Sequence, residues 1–249
     1  MAATIDVSII LVSWNTCDLL VACLESLPAA LGDVRGDVWV VDNASSDATV
    51  ETIRTRFPDV NLIVNQQNVG FAAANNQAIV ACSGRYVLLL NSDTIALPGS
   101  IARLVQFADA HPRAGVTGPM LLNADGSFQA SFANFPSFAN ELLSVTGIGR
   151  RLIYRDYPGY GPAHARAHRR VDYVAGACML VRRNAISEVG LMDEQYFMYS
   201  EETDWCYRMR QAGWEIWFTP TAQVIHYGGQ STQKWKHAMI RSLYRSKVR

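Results

Sequence analysis

The sequence has no glycine-rich phosphate loop. SWNTCDLL stands where GxGxxG would follow a first strand, and no GxxxxGKS/T occurs. Phosphate bound here must be held by something other than a backbone anion cradle. Net charge is absent too: 22 Lys and Arg balance 22 Asp and Glu, so no global field draws the chain to nucleic acid. Cysteine is sparse, and the five at 17, 23, 82, 178 and 206 form no CxxC pair. They read as reduced, buried thiols of a cytoplasmic protein. The opening MAATIDVSIILVSWN has no basic n-region, and its apolar run is too short to span a bilayer. No secretion signal is read there.

What is present suits an α/β fold. A chain of 249 residues that is 49% hydrophobic can bury a substantial core. Val7 to Ser13 is an unbroken apolar run, the pattern of a strand buried on both faces. Cys17 to Leu27 has helical spacing, with Leu20, Leu24 and Leu27 on one side. Val38 to Val41 is a second strand, Ser45-Ser46-Asp47 offers helix N-caps, and Thr49 to Phe57 is the helix they start. Asn61 to Val64, Gly70 to Cys82 and Tyr86 to Leu90 continue the alternation, and Pro98 is expected at the first position of another helix. Short connections between alternating strands and helices argue for βαβ units and a mostly parallel sheet.

Regularity fades after about residue 115. Asp125-Gly126 signals a hairpin, 146–170 reads as loop, and Val171 to Val181 as a strand. Glu201 to Ala212 reads as a helix and Trp214 to Phe218 as a last strand. No repeat or linker is visible.

Parallel sheets bind ligands beyond the carboxyl ends of their strands. Three polar clusters terminate strands on that edge: Ser13-Trp14-Asn15, Asp42-Asn43 and Asn91-Ser92-Asp93. Without a glycine loop, a divalent cation is the usual bridge between protein and diphosphate, and Asp93 is placed to ligate one. The competing reading is a strand end that caps a turn before Pro98. Glu201, Glu202 and Asp204 open a helix, where the macrodipole already favours acidic residues. The neighbouring Phe197, Met198, Tyr199 and Trp205 would strip hydration from these carboxylates and make them basic. Capping and catalysis stand about even. His226, at a strand end before two glycines, is either structural or a metal ligand. Histidines 111, 164, 168 and 237 read as solvated.

Taken in order, VSIILVSWN, VWVVDNASSD, NVGFAAANNQAI, GRYVLLLNSDT, GACMLVRR and GLMDEQYFMYSEETDWCYRMRQAGW resemble the blocks of family 2 glycosyltransferases with the GT-A fold. The likeness runs from Val7 to His226 and is closest to bacterial rhamnosyltransferase-like members acting on cell-surface polysaccharide precursors. It implies a single GT-A domain: a nucleotide-binding half to about residue 115, an acceptor and catalytic half over 116–232, and a basic tail over 233–249. Asp42, Asn43 and the Ser13–Asn15 loop would hold the base and ribose of a nucleotide-sugar donor. Asn68, Gly70, Asn75, Asn91 and Ser92 would complete that site. Asp93, in the DxD-type position with asparagine replacing its first carboxylate, would bind Mn²⁺ or Mg²⁺, and His226 would join it. Glu202 takes the place of the family's catalytic base, with Glu201 its rival.

The resemblance implies inverting transfer, with dTDP-L-rhamnose favoured as donor and UDP-sugars next, to a glycan or lipid-linked acceptor. Rival classes fit less well. A nucleotidyltransferase would need a basic glycine-rich loop, a zinc hydrolase a denser set of ligands, and a non-catalytic sugar binder would leave Glu201 and Glu202 as helix caps. The tail KWKHAMIRSLYRSKVR sets Trp235, Met239, Ile240, Leu243 and Tyr244 near one helical stripe amid basic residues. It would rest on the inner face of the cytoplasmic membrane, pack on the domain, or dock on a second copy to form a homodimer.

Overall fold

A computed structural model describes residues 5–135 and 161–228. Strand β1 (Val7–Ser13) leads into helix α1 (Cys17–Leu31), followed by β2 (Gly36–Asp42), α2 (Thr49–Arg56), β3 (Asn61–Val64), α3 (Phe71–Ala81) and β4 (Tyr86–Leu90). Next come β5 (Thr94–Ala96), α4 (Ser100–Ala110), β6 (Ala114–Leu122), β7 (Phe128–Gln129) and β8 (Phe132–Ala133). A 3₁₀ turn at Pro162–His164 precedes β9 (Arg169–Arg170), β10 (Tyr173–Val174), β11 (Cys178–Arg182), α5 (Arg183–Val189), α6 (Glu201–Gln211) and β12 (Glu215–His226).

The main sheet has the order β3-β2-β1-β4-β11-β6-β12-β5, with β7 beside β6 and β9 beside β12. β3, β2, β1 and β4 are parallel, as are β6 and β12. β11 runs antiparallel to both β4 and β6 and joins the two parallel sets into one sheet. β8 and β10 form a separate ribbon.

Both faces of this sheet are covered, which explains the unbroken apolar runs. In β1 and β4, Val7, Ile9, Leu11, Leu88 and Leu90 enter one core with Leu20, Leu24, Leu27 and Leu104 of α1 and α4. The alternate residues Ile10, Val87 and Leu89 enter a second core with α3, α5 and α6, where Ala78, Ile186, Trp205 and Met209 pack. Among the described residues no helix is long and apolar enough to cross a membrane.

Several elements depart from the sequence-based expectation. Pro98 does not open α4. Ser100 N–H donates to Leu97 O at 2.9 Å and Gly99 has φ 71° and ψ 4°, so Pro-Gly makes a turn of type II form and the helix starts after it. The span Val171 to Val181 is two strands in different sheets, β10 pairing β8 and β11 pairing β4. β12 is longer than expected, because its C-terminal part pairs β5 as well as β6. α2 begins at Thr49 with no side-chain cap from Ala48. Instead Asp47 accepts the Thr49 N–H at 3.1 Å and, through its other oxygen, the Cys17 N–H of α1 at 3.1 Å. His111 and His168 are not simply solvated; both stack on Phe107, at 4.0 and 4.9 Å between ring centroids. The tail stripe from Trp235 to Tyr244 and most of the loop expected over 146–170 lie outside the described residues.

Candidate active site

Because β3, β2, β1 and β4 are parallel, their carboxyl ends meet at one edge, with Ser13 level with Asp42 and Asp42 with Val64. The three polar clusters lie there. Ser13 Oγ contacts Thr16 Oγ1 at 3.1 Å, and Thr16 Oγ1 contacts Ser92 Oγ at 3.0 Å. This buried hydroxyl chain ties the end of β1 to the segment after β4. Thr16 escaped sequence reasoning, since a threonine just before a helix looks like an ordinary cap; in fact its hydroxyl makes no cap bond.

Asn43 organises the neighbouring segment. Its Nδ2 donates to Asn68 Oδ1 at 3.0 Å and to Gly70 O at 3.2 Å, while its Oδ1 accepts from Asn65 Nδ2 at 3.0 Å. Asn15, at φ 56°, accepts from the Ser46 N–H at 2.7 Å and so closes the β1 loop onto the β2 loop. Asp42 is buried, with one oxygen accepting the Ser45 N–H and the other without a hydrogen-bond partner. A buried carboxylate oxygen lacking a donor is costly, and a ligand donor would satisfy it.

These groups border a cavity of about 600 Å³. Trp14, Asn43, Asn68, Gly70, Asn91, Ser92 and Asp93 line it, together with Phe197, Met198, Tyr199, Glu201 and Glu202 of the approach to α6, and His226. Ser13, Asn15 and Asp42 are not among the lining residues: Ser13 and Asp42 are buried beside them and Asn15 is exposed. Asn75 is set further back, fully buried in α3 with its Nδ2 donating to Phe71 O at 2.9 Å. Gln129, Phe132, Tyr173 and Gly176 also line the cavity; nothing in their sequence surroundings marked them.

The carboxylate wall depends on a strained approach. Tyr199 and Ser200 have φ 71° and 73°, left-handed values that each cost about 1–2 kcal/mol for residues with a Cβ. They turn the chain so that α6 begins with Glu201 and Glu202 at the cavity. α3 clamps this approach. Asn76 Nδ2 donates to Met192 O at 2.9 Å and to Glu194 Oε1 at 3.0 Å, and Phe71 N–H donates to Phe197 O at 2.8 Å. Gly70 sits under the same carbonyl with φ 88° and ψ 173°, a region essentially reserved for glycine. A Cβ at Gly70 would lie 2.6 Å from Phe197 O. Gly70→Ala is therefore expected to destabilise the fold by about 3 kcal/mol or more, seen as a lowered urea midpoint.

Glu201 is 5% exposed, and its Oε2 has no hydrogen-bond partner. Burial first, and then the charge of Glu202, push its carboxyl well above the usual range. Burial likewise raises Glu202, opposed by backbone N–H groups at the start of α6 and by the Thr203 hydroxyl. Asp204 is different: it pairs with Arg208 at 2.8 Å on the helix. Two adjacent, desolvated carboxyls titrate as a unit and cannot both ionise cheaply.

Asp93 Oδ1 lies 3.3 Å from His226 Nε2, with both side chains largely buried. His226 Nδ1 is 2.7 Å from Gln129 Oε1. No third His, Cys, Asp or Glu joins them among the described residues. A carboxylate oxygen suits Mn²⁺ or Mg²⁺, and an imidazole nitrogen beside it favours Mn²⁺ over the oxygen-seeking Mg²⁺. Ligands about 2.1 Å from one ion and at right angles stand about 3 Å apart, close to the observed spacing. The donor set thus fits a divalent cation with room for diphosphate and water oxygens.

A model of the family described as "Glycosyltransferase like family 2" matches residues 5–245. The N-acetylglucosaminyl-diphospho-decaprenol L-rhamnosyltransferase of Mycobacterium tuberculosis is 32% identical over 213 residues, which are 78% of this chain and 67% of the relative. Rhamnosyltransferase WbbL of Escherichia coli is 27% identical over 235 residues, 89% of this chain and 83% of its own. The mannosyltransferase PcManGT from Pyrobaculum calidifontis, solved with GDP-Man and Mn²⁺, superposes with a TM-score of 0.64 at 17% identity, over 97% of this chain and 61% of its own.

Proposed function

Since the chain belongs to glycosyltransferase-like family 2 and has the GT-A fold, we propose that it transfers L-rhamnose from dTDP-L-rhamnose, with inversion, to a hydroxyl of a lipid-linked or glycan acceptor in cell-surface polysaccharide synthesis. One observation carries this reading: the Asp93–His226 pair and the Glu201–Glu202 pair line the same cavity. Candidate cation ligands and a candidate base are thereby brought to one space from three separate parts of the chain.

Asp42, Asn43 and the Ser13–Asn15 loop hold the base and ribose, with Asn68, Gly70, Asn91 and Ser92 along the rest of the donor. Asn75 supports this lining from within α3. Asp93 and His226 would hold the divalent cation, Mn²⁺ or Mg²⁺. When bound, such a cation offsets the negative charge that grows on the departing diphosphate. Glu202 takes the proton of the acceptor hydroxyl as its oxygen bonds to the anomeric carbon. The bond from that carbon to the diphosphate oxygen breaks, and the nucleoside diphosphate leaves with the electron pair. Charge at the sugar is oxocarbenium-like during this passage. Desolvation of Glu202 supports the role, because a base is most effective with a pKa raised toward the working pH.

The choice of rhamnose rests on the names of the mycobacterial and E. coli relatives, and the lipid-linked acceptor on the former. The test is release of nucleoside diphosphate from dTDP-rhamnose, UDP-sugars and GDP-mannose, each with a polyprenyl-diphosphate N-acetylglucosamine acceptor and with Mn²⁺, Mg²⁺ or a chelator. Acceptor-dependent dTDP release that the chelator stops is the expected result. Thermal stabilisation by dTDP and Mn²⁺ without any turnover would identify a binding protein and overturn the proposal.

A further inference from the structure

The Asp125-Gly126 hairpin joins β6 to β7, with Gly126 at φ 80°. A surface hairpin needs no polar residue facing a cavity, yet β7 ends in Gln129, which does so. Gln129 Nε2 donates to His226 O at 3.0 Å and to Asn123 Oδ1 at 2.9 Å. Asn123 is itself oriented, since its Nδ2 donates to Ser127 Oγ at 2.9 Å. A backbone carbonyl can only accept, so the amide nitrogen of Gln129 must face it. Its Oε1 is then the atom 2.7 Å from His226 Nδ1. An amide oxygen accepts, so Nδ1 must carry the proton. The neutral ring has only one N–H, which leaves the lone pair on Nε2, the atom 3.3 Å from Asp93 Oδ1. Asn91 Nδ2, 3.5 Å from Nε2, is a donor on the same side and agrees with an accepting nitrogen.

We infer that Gln129 is a positioning residue that fixes the imidazole of His226 in its Nδ1–H form, so that Nε2 is presented with Asp93 as a ready ligand for a divalent cation. The inference rests on the proposed role of His226 in holding that cation. Without Gln129, the natural partner for a ring N–H is the Asp93 carboxylate. The proton would then move to Nε2 and block the ligand position. Hydrogen-bond partners of this type typically carry a 10- to 100-fold effect on metal affinity.

The test uses three variants of the full chain. Two-dimensional ¹H–¹⁵N spectra of the metal-free protein at about pH 8, where a reference imidazole is neutral, report which ring nitrogen of His226 is protonated. Titration with Mn²⁺ in the presence of dTDP, followed by electron paramagnetic resonance, reports affinity. The wild type is expected to show Nδ1–H, and Gln129→Leu to shift toward Nε2–H with Mn²⁺ affinity about 10- to 100-fold weaker. Gln129→Glu keeps an acceptor at Nδ1 while losing both Nε2 bonds of the hairpin. It is expected to keep the Nδ1–H form and bind Mn²⁺ no more weakly than the wild type. His226→Ala separates the two claims. If it leaves Mn²⁺ affinity unchanged, His226 is no ligand and the underlying reading fails. If it abolishes binding while Gln129→Leu keeps both tautomer and affinity, the positioning role alone is overturned. Equal losses in Gln129→Leu and Gln129→Glu would also overturn it, by showing that the hairpin bonds are what matter.

Discussion

Asp93→Ala is expected to abolish transfer and to remove the metal-dependent part of nucleoside diphosphate binding. Asp93 is 6% exposed, and among the described residues its side-chain partner is His226. Little of the fold depends on it: the local backbone bond, from Tyr227 N–H to Asp93 O at 3.0 Å, survives truncation to alanine. What is lost is half of the proposed two-residue donor set in a site without a glycine phosphate loop. Stabilising charge on a leaving diphosphate is worth several kcal/mol, and each 1.4 kcal/mol is about tenfold in rate. A loss of about three orders of magnitude or more follows. Calorimetric titration with dTDP, with and without Mn²⁺, measures the binding half of the prediction. An unchanged metal-dependent affinity in the variant would remove Asp93 from the site.

Glu202→Gln is expected to lower turnover by about two to four orders of magnitude while donor affinity is retained, the range for loss of a general base. Glutamine fills the same volume but cannot take the acceptor proton. If Glu201→Gln is the dead variant and Glu202→Gln stays active, the base is Glu201. The pair also dictates the pH response. A base must be ionised, and burial raises both carboxyls above their ordinary value of 4.5. The acid limb of kcat/KM should therefore have its midpoint above 4.5, as a property of the pair. Stability has the opposite slope. A carboxyl whose folded pKa is raised binds its proton more tightly in the native state, so its contribution is full below the unfolded pKa and is lost as pH rises through the folded one. The melting temperature of the wild type should fall on raising pH from about 4.5, and the fall should be smaller in Glu201→Gln.

The first half of the fold was readable because a parallel strand covered on both faces is apolar along its length and polar where it stops. β1 and β4 begin and end where those runs do. Ser13, Asp42 and Asn91-Ser92-Asp93 were visible for the same reason, as polar residues placed against the solvent-free pattern before them. Short pairings left no such trace. β5 is three residues long, and Pro98-Gly99 after it looks like a helix start until the Leu97–Ser100 bond shows a turn. Gly176 lies between two strands that a continuous apolar pattern had merged. Gln129 is the clearest omission. A lone glutamine in a two-residue strand has no periodicity, and its meaning comes from His226, 97 positions away along the chain. Glu201 and Glu202 were visible as acidic residues but ambiguous in role. The unpartnered Oε2 of Glu201 and the cavity before it are tertiary facts.

The position of β11 also sets an order of events during synthesis. Residues 5–90 supply four adjacent parallel strands, but the far edge of that group is β4, whose five residues are all buried in the finished sheet. Its partner on that side, Cys178–Arg182, is made almost ninety residues later, and β6 waits for the same strand because it touches β4 only through it. Until then the growing chain carries an open apolar edge, the kind of surface that recruits other chains. A polypeptide stopped between β4 and β11 would retain the polar strand ends of the first half and yet have no way to close that edge.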